Sequence, residues 1–505
     1  MDLDCLGVRD LVERLALVRK GKRVVHCHGV FDLLHVGHIR HLREAKSQGD
    51  LLVVTVTPDH YVNKGPTRPA FRQGHRVEML LSLGFVDYVC VNEWPMATQA
   101  IEVLRPDVFI KGSEYRDADK DYTRAISLER DAVEAVGGRL HFTEDIVFSS
   151  SELINGHLDV LPEETRGFLS DFRGRHRSED LVGLIDACRG LKVLVIGDAI
   201  IDAYEYCHAI GKSQKEPMLA VKQESVELMA GGIFAVANHV AGFSDDVSLL
   251  TVLGERNLHA SFLEKKINRQ IKTDYFVRGD APTTLKRRYI DRYFFHKLFS
   301  VYEMEDSPIG GELEDAICKR IEEEAGDYDV VLVVDFGHGM MTDRVIKTVC
   351  DHAKMLVVNA QSNAANLGFH TIGKYPRADM ICLAESEMRL EGRSRHGDLD
   401  EMMVDVAGRL GADRVVVTQG DRGLLCYESG GEVVHVPSLT DCVKDRMGAG
   451  DTLIAISSLL TRLGASGEVM GFVGNAAGAQ AVAMVGNRRP LERVGLVRHI
   501  QCLMK

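Results

Sequence analysis

Gly29-Val30-Phe31-Asp32-Leu33-Leu34-His35-Val36-Gly37-His38 is entered from an apolar, β-branched run (Val24-Val25) and left by a helical pattern (Ile39, Leu42, Ala45). The stretch reads as a first strand, a tight turn and the first helix of an α/β domain. His35 and His38 lie three residues apart, so at a helix start they project from one side. The first helical turn also offers free N–H groups and the positive end of the helix dipole. Two imidazoles beside backbone donors make a place for a polyphosphate. Gly37 between them lets a phosphate or a ribose approach the backbone closely.

Working outward, the chain has 505 residues, too many for one ordinary core, so two or three domains are expected. The net charge of −13 disfavours non-specific nucleic-acid binding, while a local basic pocket still suffices for a nucleotide. Eleven cysteines are scattered without a CxxC or a Cys/His cluster, which reads as reduced thiols and a cytoplasmic setting. The start, MDLDCLGVRDLVERL, is an acidic amphipathic helix and not a signal peptide, and no run is long and apolar enough for a membrane span.

Strands recur at Val24–Cys27, Leu51–Val56, Tyr88–Val91, Val108–Ile110 and Leu140–Phe142, with helical patterns between them. Such alternation predicts a parallel sheet covered on both faces, with ligands at the carboxyl ends of its strands. Residues 1–156 form this first domain. Residues 157–190 are charged and read as a linker with one helix. From 191 to 505 a second α/β alternation runs to the end. Within it, Ala220–Met229 and Thr284–Phe295 alternate like strands and suit a small β-flap. The fold class is therefore α/β with two doubly wound domains.

The string GVFDLLHVGHIRHL resembles the HxGH signature of the cytidylyltransferase-like nucleotidyltransferases, a Rossmann-like fold. Over residues of about 10–155 the chain is similar to the adenylyltransferase half of the bifunctional heptose kinase/adenylyltransferases, through VTPDHYVNKGPTRP, FRQGHRVEMLLSLGFVDYV, IKGSEY and FSSSELI. The resemblance implies a reaction in which a phosphate oxygen attacks the α-phosphorus of ATP or CTP and pyrophosphate leaves. That chemistry asks for positioning and charge neutralisation. His35 and His38 would donate to the phosphates, and Lys64 would bridge the two reacting phosphates. Ser149, Ser150 and Ser151 at a helix start would hold the β- and γ-phosphates, with Mg²⁺ riding on the triphosphate. Gly29, Phe31, Asp32, Gly37, Arg76 and Lys111 complete the expected nucleotide site. His28 stands where the resembling enzymes commonly carry Asn.

Near the other end, Asp445-Arg446-Met447-Gly448-Ala449-Gly450-Asp451-Thr452 places two glycines and an acid before a helical pattern. Free N–H groups there would form an anion hole for a transferring phosphoryl group, and Asp451 would take the proton of an attacking hydroxyl. The motif resembles the DxxGAGD signature of the ribokinase-type (PfkB) sugar kinases, and GDAIIDAYEY, AGGIFAVANHVAGF, TTLKRRYI, VVDFGHGMM, VTQGDRG and GNAAGAQAVAMVG extend the likeness across about 191–490. It implies a sugar site at Asp198, Asp202, Gly231, Gly232 and Lys286. It implies an ATP site at Gly448, Ala449, Gly450, Thr418, Gly420, Gly423 and Asn475, with Glu387 linked indirectly to Mg²⁺. Ala235, Asn359 and Ala384 replace polar or acidic residues of the family pattern, and Met447 replaces a small residue.

The two resemblances together imply a bifunctional enzyme that phosphorylates a sugar and transfers a nucleotidyl group to a sugar phosphate, giving an ADP-heptose-like product. The domain order is the reverse of the familiar bifunctional heptose enzyme. Small-molecule partners and a homodimer are expected, with no nucleic acid or membrane partner. The alternative is that only the transferase works, with CTP and a CDP-polyol or CDP-sugar product, while the kinase-like domain is a regulatory binding module.

Overall fold

The computed structural model describes residues 7–65, 68–116, 125–144, 161–213 and 215–505. The chain divides into two compact units, Met1–Pro162 with Val497–Lys505, and Glu163–Leu496.

The first unit is a five-stranded parallel sheet of order β3-β2-β1-β4-β5, built from β1 (Val24–Gly29), β2 (Leu51–Val56), β3 (Tyr88–Val91), β4 (Val108–Lys111) and β5 (Arg139–Phe142). Strand side chains alternate between faces. Val25, Cys27, Leu52 and Val54 therefore pack on one side with Leu42 of α2 (Val36–Ser47) and with Val77 and Leu80 of α3 (Gln73–Leu81). Val24, Leu51 and Val53 pack on the other with Val8, Leu11 and Leu15 of the leading helix Val8–Val18. Burying each such side chain contributes roughly 1.5–3 kcal/mol. The strand order reverses between β1 and β4, and the crevice outside their carboxyl ends is where such sheets take ligands. Gly29 and Lys111 end those two strands.

In the second unit the central strand is β6 (Lys192–Lys212), 21 residues long. The sequence suggests a strand ending before Gly197-Asp198, whereas β6 runs through them. Gly197 makes this possible, because a Cβ there would fall 1.9 Å from the Val334 carbonyl oxygen. The first half of β6 lies in a sheet of order β9-β8-β6-β12-β13-β14-β15-β16-β17, comprising β8 (Asp246–Arg256), β9 (Lys272–Pro282), β12 (Val330–Asp335), β13 (Leu356–Ala360), β14 (Met380–Ala384), β15 (Arg414–Thr418), β16 (Leu424–Glu428) and β17 (Val434–Val436). Its outer half pairs with β7 (Leu219–Gly232) and β10 (Thr284–Asp291), and β10 pairs with β11 (Lys297–Glu303). These outer strands are the flap expected from the alternating segments.

The stretch read as a linker carries two helices, Glu163–Arg175 and Ser178–Ala187, grouped with the second unit. Leu169 and Phe172, three apart on one helical face, are buried, and Phe172 stacks on Phe472 at 4.3 Å. All ten cysteines among the described residues are free thiols. No described helix is long and apolar enough to cross a membrane.

Candidate active sites

In the first unit the turn after β1 is held by Phe31, whose φ is 51°. A Cβ on Gly29 would press against the Phe31 ring at 3.0 Å, so glycine is what admits that ring. Phe31 meets His38 edge-on at 5.4 Å. His35 caps α2, its Nδ1 accepting from the Gly37 N–H at 3.1 Å, while its buried Nε2 has no hydrogen-bond partner. The His35 and His38 rings lie 4.0 Å apart. Burial, reinforced by His35, His41 and Lys64, lowers the His38 pKa to about 3, and burial lowers His35 as well. Both rings are therefore neutral at pH 7, each with one N–H, and the His38 ring also hydrogen-bonds the Leu33 backbone.

Burial also lowers the Lys64 ammonium, with Lys505 and Arg68 working the same way and Asp32 opposing. The tail supplies a wall here that sequence reasoning missed. A Cβ on Gly65 would sit 2.5 Å from the His499 ring, and Val497–Lys505 belongs to this unit. The remaining expected contacts divide. Asp32 is 2% exposed and accepts from Arg68 Nη1 at 3.2 Å and from the Phe71 N–H at 3.0 Å. It braces the turn against the loop after β2. Arg76, expected at the nucleotide, is fully buried. Its guanidinium donates to the carbonyls of Val30, Thr57 and Phe71 and to Asp59. It holds three loops together and has no face left for a ligand. Lys111 pairs with Glu129 at 2.8 Å and lies over the Tyr115 ring. Ser149, Ser150 and Ser151 lie outside the described residues. His28 Nδ1 meets Thr55 Oγ1 at 2.8 Å and its Nε2 meets Thr57 Oγ1 at 3.2 Å. Thr55 on β2 and Thr57, the residue just past its end, escaped the sequence reading, although a spacing of two along extended chain puts them on one side.

Replacing Arg76 by Met keeps much of the volume and orphans those carbonyls, at about 1–3 kcal/mol for each buried group left unpaired. The expected result is a thermal midpoint lowered for the first unit with the second unit's transition in place. An unchanged midpoint would show that the bracing role is incorrect.

In the second unit the helix Ala449–Arg462 begins behind Gly448, whose φ is 86° and where a Cβ would fall 2.0 Å from Asn487 Oδ1. Ala449 opens the helix, and Gly450 faces Gln361 Nε2. Asp451 is 8% exposed and accepts from Asn487 Nδ2 at 3.3 Å. Burial raises its pKa to about 7, with Asp202 adding and Asn487, Lys286 and Arg288 opposing. Asp445 fixes the loop, taking Tyr204 OH and Lys297 Nζ at 2.6 Å each and the Gly486 N–H at 2.9 Å.

The expected sugar residues gather around the same acid but are already engaged. Asp202 forms an ion pair with Arg288 and fills the space where Gly231 would carry a Cβ. Gly232, with φ 51°, caps the helix Ile233–Val240. Asp198 Oδ2 accepts from the backbone N–H groups of Phe336 (2.8 Å) and His338 (3.2 Å). Burial and then Asp335 raise its pKa to about 6. Lys286 lies over the rings of Tyr302 and Phe336, and burial lowers it to about 8. Arg288 was missed, although Lys286 and Arg288 alternate onto one face of β10 in register with Asp202.

The residues expected at the nucleotide lie along β15, β17 and the turns beside them. Thr418 ends β15, Gly420 has φ 65°, a Cβ on Gly423 would lie 2.1 Å from the Val436 carbonyl oxygen, and Asn475 Nδ2 donates to the Pro437 carbonyl at 2.8 Å. Glu387 spends both oxygens on the backbone N–H groups of Ser362 and Ala384, at 2.8 Å each. It caps its helix. No cluster of three His, Cys, Asp or Glu suited to a metal occurs among the described residues.

The pfkB family carbohydrate kinase pattern matches residues 191–493, and the Cytidylyltransferase-like pattern matches residues 26–161. The chain is similar to the bifunctional protein HldE of Nitrobacter winogradskyi, 28% identical over 315 residues, covering 61% of this chain and 63% of that protein. It is similar to HldE of Syntrophotalea carbinolica over 140 residues at 39% identity, 27% of each chain. The chain thus spans under two thirds of the length of these relatives. Escherichia coli phosphofructokinase-2, in a complex with substrates and products, superposes on the fold with a TM-score of 0.52 at 14% identity, covering 62% of this chain and 100% of that one.

Proposed function

The chain belongs to the pfkB family of carbohydrate kinases, with a cytidylyltransferase-like domain ahead of the kinase domain, and we propose that it carries out two phosphate-transfer reactions on a sugar. In the second unit an acceptor hydroxyl gives its proton to Asp451 and attacks the γ-phosphorus of ATP, and ADP leaves. The N–H groups at Gly448, Ala449 and Gly450 stabilise the charge that builds on the transferring phosphoryl group. In the first unit an oxygen of a sugar phosphate attacks the α-phosphorus of ATP, and pyrophosphate leaves. His35 and His38 donate to the phosphates while Lys64 spans the two reacting groups. Mg²⁺ on each triphosphate would neutralise part of its charge, held largely through the nucleotide and water.

The observation that carries this reading is the coexistence of two prepared anion sites in one chain: neutral paired imidazoles at one helix start, and a carboxyl poised near neutrality behind a glycine-lined helix start at the other. Likeness to the HldE proteins supports a heptose acceptor and an ADP-linked product; CTP with a CDP-linked polyol is the next candidate. We place the enzyme in the cytoplasm, where its nucleotides are. A homodimer through the flap is supported by exposed Ile210, Leu219, Val226, Phe299 and Val301, and light scattering tests it.

Ala235, Asn359 and Ala384 favour one second reading, in which the kinase-like domain only binds its ligands. The test crosses ATP, CTP, GTP and UTP with sugar 1-phosphates for pyrophosphate release, and ATP with sugars and sugar phosphates for ADP release. Both signals are expected. Pyrophosphate without ADP would establish the second reading, and neither would remove the proposal.

A further inference from the structure

The loop that follows β12 holds a histidine with nothing to bond to. His338 is 7% exposed, and neither its Nδ1 nor its Nε2 has a hydrogen-bond partner. The side chain is not there by looseness of the loop. Its own N–H and that of Phe336 are fixed on Asp198 Oδ2. The Phe336 carbonyl accepts from Asn363 Nδ2 at 3.0 Å and from Asn366 Nδ2 at 2.9 Å. Gly337 and Gly339 take φ of 69° and 91°, and a Cβ on Gly337 would strike Asn366 and the His370 ring. The ring lies nearly parallel to Phe336, at 6.4 Å.

Buried polar atoms are paired in native proteins unless a ligand or water completes them. The charged groups that act on His338 are Lys286, His370 and Asp335. Lys286 in turn is acted on by Asp202, Asp198 and Asp451. Lys286 lies over the ring of Phe336 at 5.3 Å, and Phe336 is the ring beside His338, so His338 neighbours the residues expected at the acceptor. Burial keeps its imidazole neutral, with a pKa near 3. A neutral imidazole presents one donor and one acceptor, which is the complement of alcohol groups, since a hydroxyl both gives and takes a hydrogen bond. An anionic group would satisfy only its N–H.

We propose that His338 is a specificity-determining residue of the kinase, reading hydroxyl groups of the sugar other than the one that is phosphorylated. This rests on the kinase reading of the same site. It predicts an acceptor whose polyol face, and not its anionic group, lies against the Phe336–Gly339 loop.

The test uses the full chain with D-glycero-D-manno-heptose 7-phosphate as acceptor, and compares the parent with His338→Phe, His338→Gln and Asp451→Asn. For His338→Phe the acceptor KM rises by roughly tenfold or more, the loss of one to two hydrogen bonds, while the KM for ATP moves less than threefold. The ligand-free thermal midpoint holds or rises, because unpaired buried nitrogens are removed. His338→Gln, which keeps one donor and one acceptor, recovers part of the KM. Asp451→Asn retains the acceptor-induced rise in thermal midpoint that His338→Phe loses. An acceptor KM unchanged in His338→Phe, or a fall in its ligand-free midpoint that accounts for the lost activity, would overturn the proposal. If the parent forms no ADP and shows no thermal shift with this heptose phosphate, the heptose reading falls and takes the proposal with it, a failure visible without any variant.

Discussion

Asp451→Asn lowers ADP formation by about 10²–10⁴-fold, the contribution of a positioned general base, and leaves pyrophosphate release in the first unit at the parental rate. The substitution keeps shape and removes only the ability to hold the proton. The Asn487 amide that now donates to Asp451 would face an amide, so the loop stays in place. The pH dependence follows from the direction of the shift. Burial has moved the carboxyl up to about 7. The base must be ionised to accept a proton, so kcat/KM for the kinase rises with pH through about 7 and is lost as pH falls below it. Arg288 and Lys286 lie on the side that favours the ionised form, so Lys286→Met should push the rise to higher pH. A kinase profile flat between pH 5.5 and 8.5, or full activity in Asp451→Asn, would take the acid out of the mechanism.

What the sequence disclosed depended on range. The turn from Gly29 to His38 and the helix start at Gly448 were legible because part of what shapes them is local: the His35 cap on Gly37 in one, the positive φ of Gly448 in the other. The alternation that builds both sheets was legible for the same reason. Arg76 was read as a ligand contact because its helix pattern says nothing of Val30 and Thr57, carbonyls 46 and 19 residues distant. Asp32 finds Arg68 only after the loop beyond β2 has folded back. Asp198 is engaged by Phe336 and His338, about 140 residues downstream. Buried charges take whatever partner the fold delivers, and such partners carry no periodic signal. The residues 157–190 looked like a linker because their polar faces dominate the composition. The side chains that dock, Leu169, Phe172, Leu181, Val182 and Ile185, with Cys188 just after them, are spread over two helices among charged residues.

His38→Ala abolishes most of the nucleotidyl transfer. Pyrophosphate release falls by about 10²–10³-fold, the effect of losing one aimed donor to a developing negative charge, while ADP formation in the other unit is unaltered. The argument is electrostatic. Pyrophosphate is a good leaving group, so the barrier lies in bringing an anionic phosphate onto an anionic triphosphate. The imidazole meets that need without bringing a charge of its own. Burial and the neighbouring His35, His41 and Lys64 hold it neutral far below pH 7, against a hydrogen bond to the Leu33 backbone, so its protonation state is constant across the physiological range. The free enzyme's kcat/KM should show no step from His38 between pH 5 and 8, which separates this role from general-base catalysis. The fold should survive, since the ring is held by a tilted contact with His35, an edge contact to Phe31 and a hydrogen bond to the Leu33 backbone, and a shift of about 1 kcal/mol is the usual scale for such a loss. His38→Asn restores a donor at nearly the same reach and should recover part of the rate. Parental pyrophosphate release in His38→Ala, measured with the nucleotide and sugar phosphate that the parent uses best, would mean that the charge is met by backbone N–H groups alone.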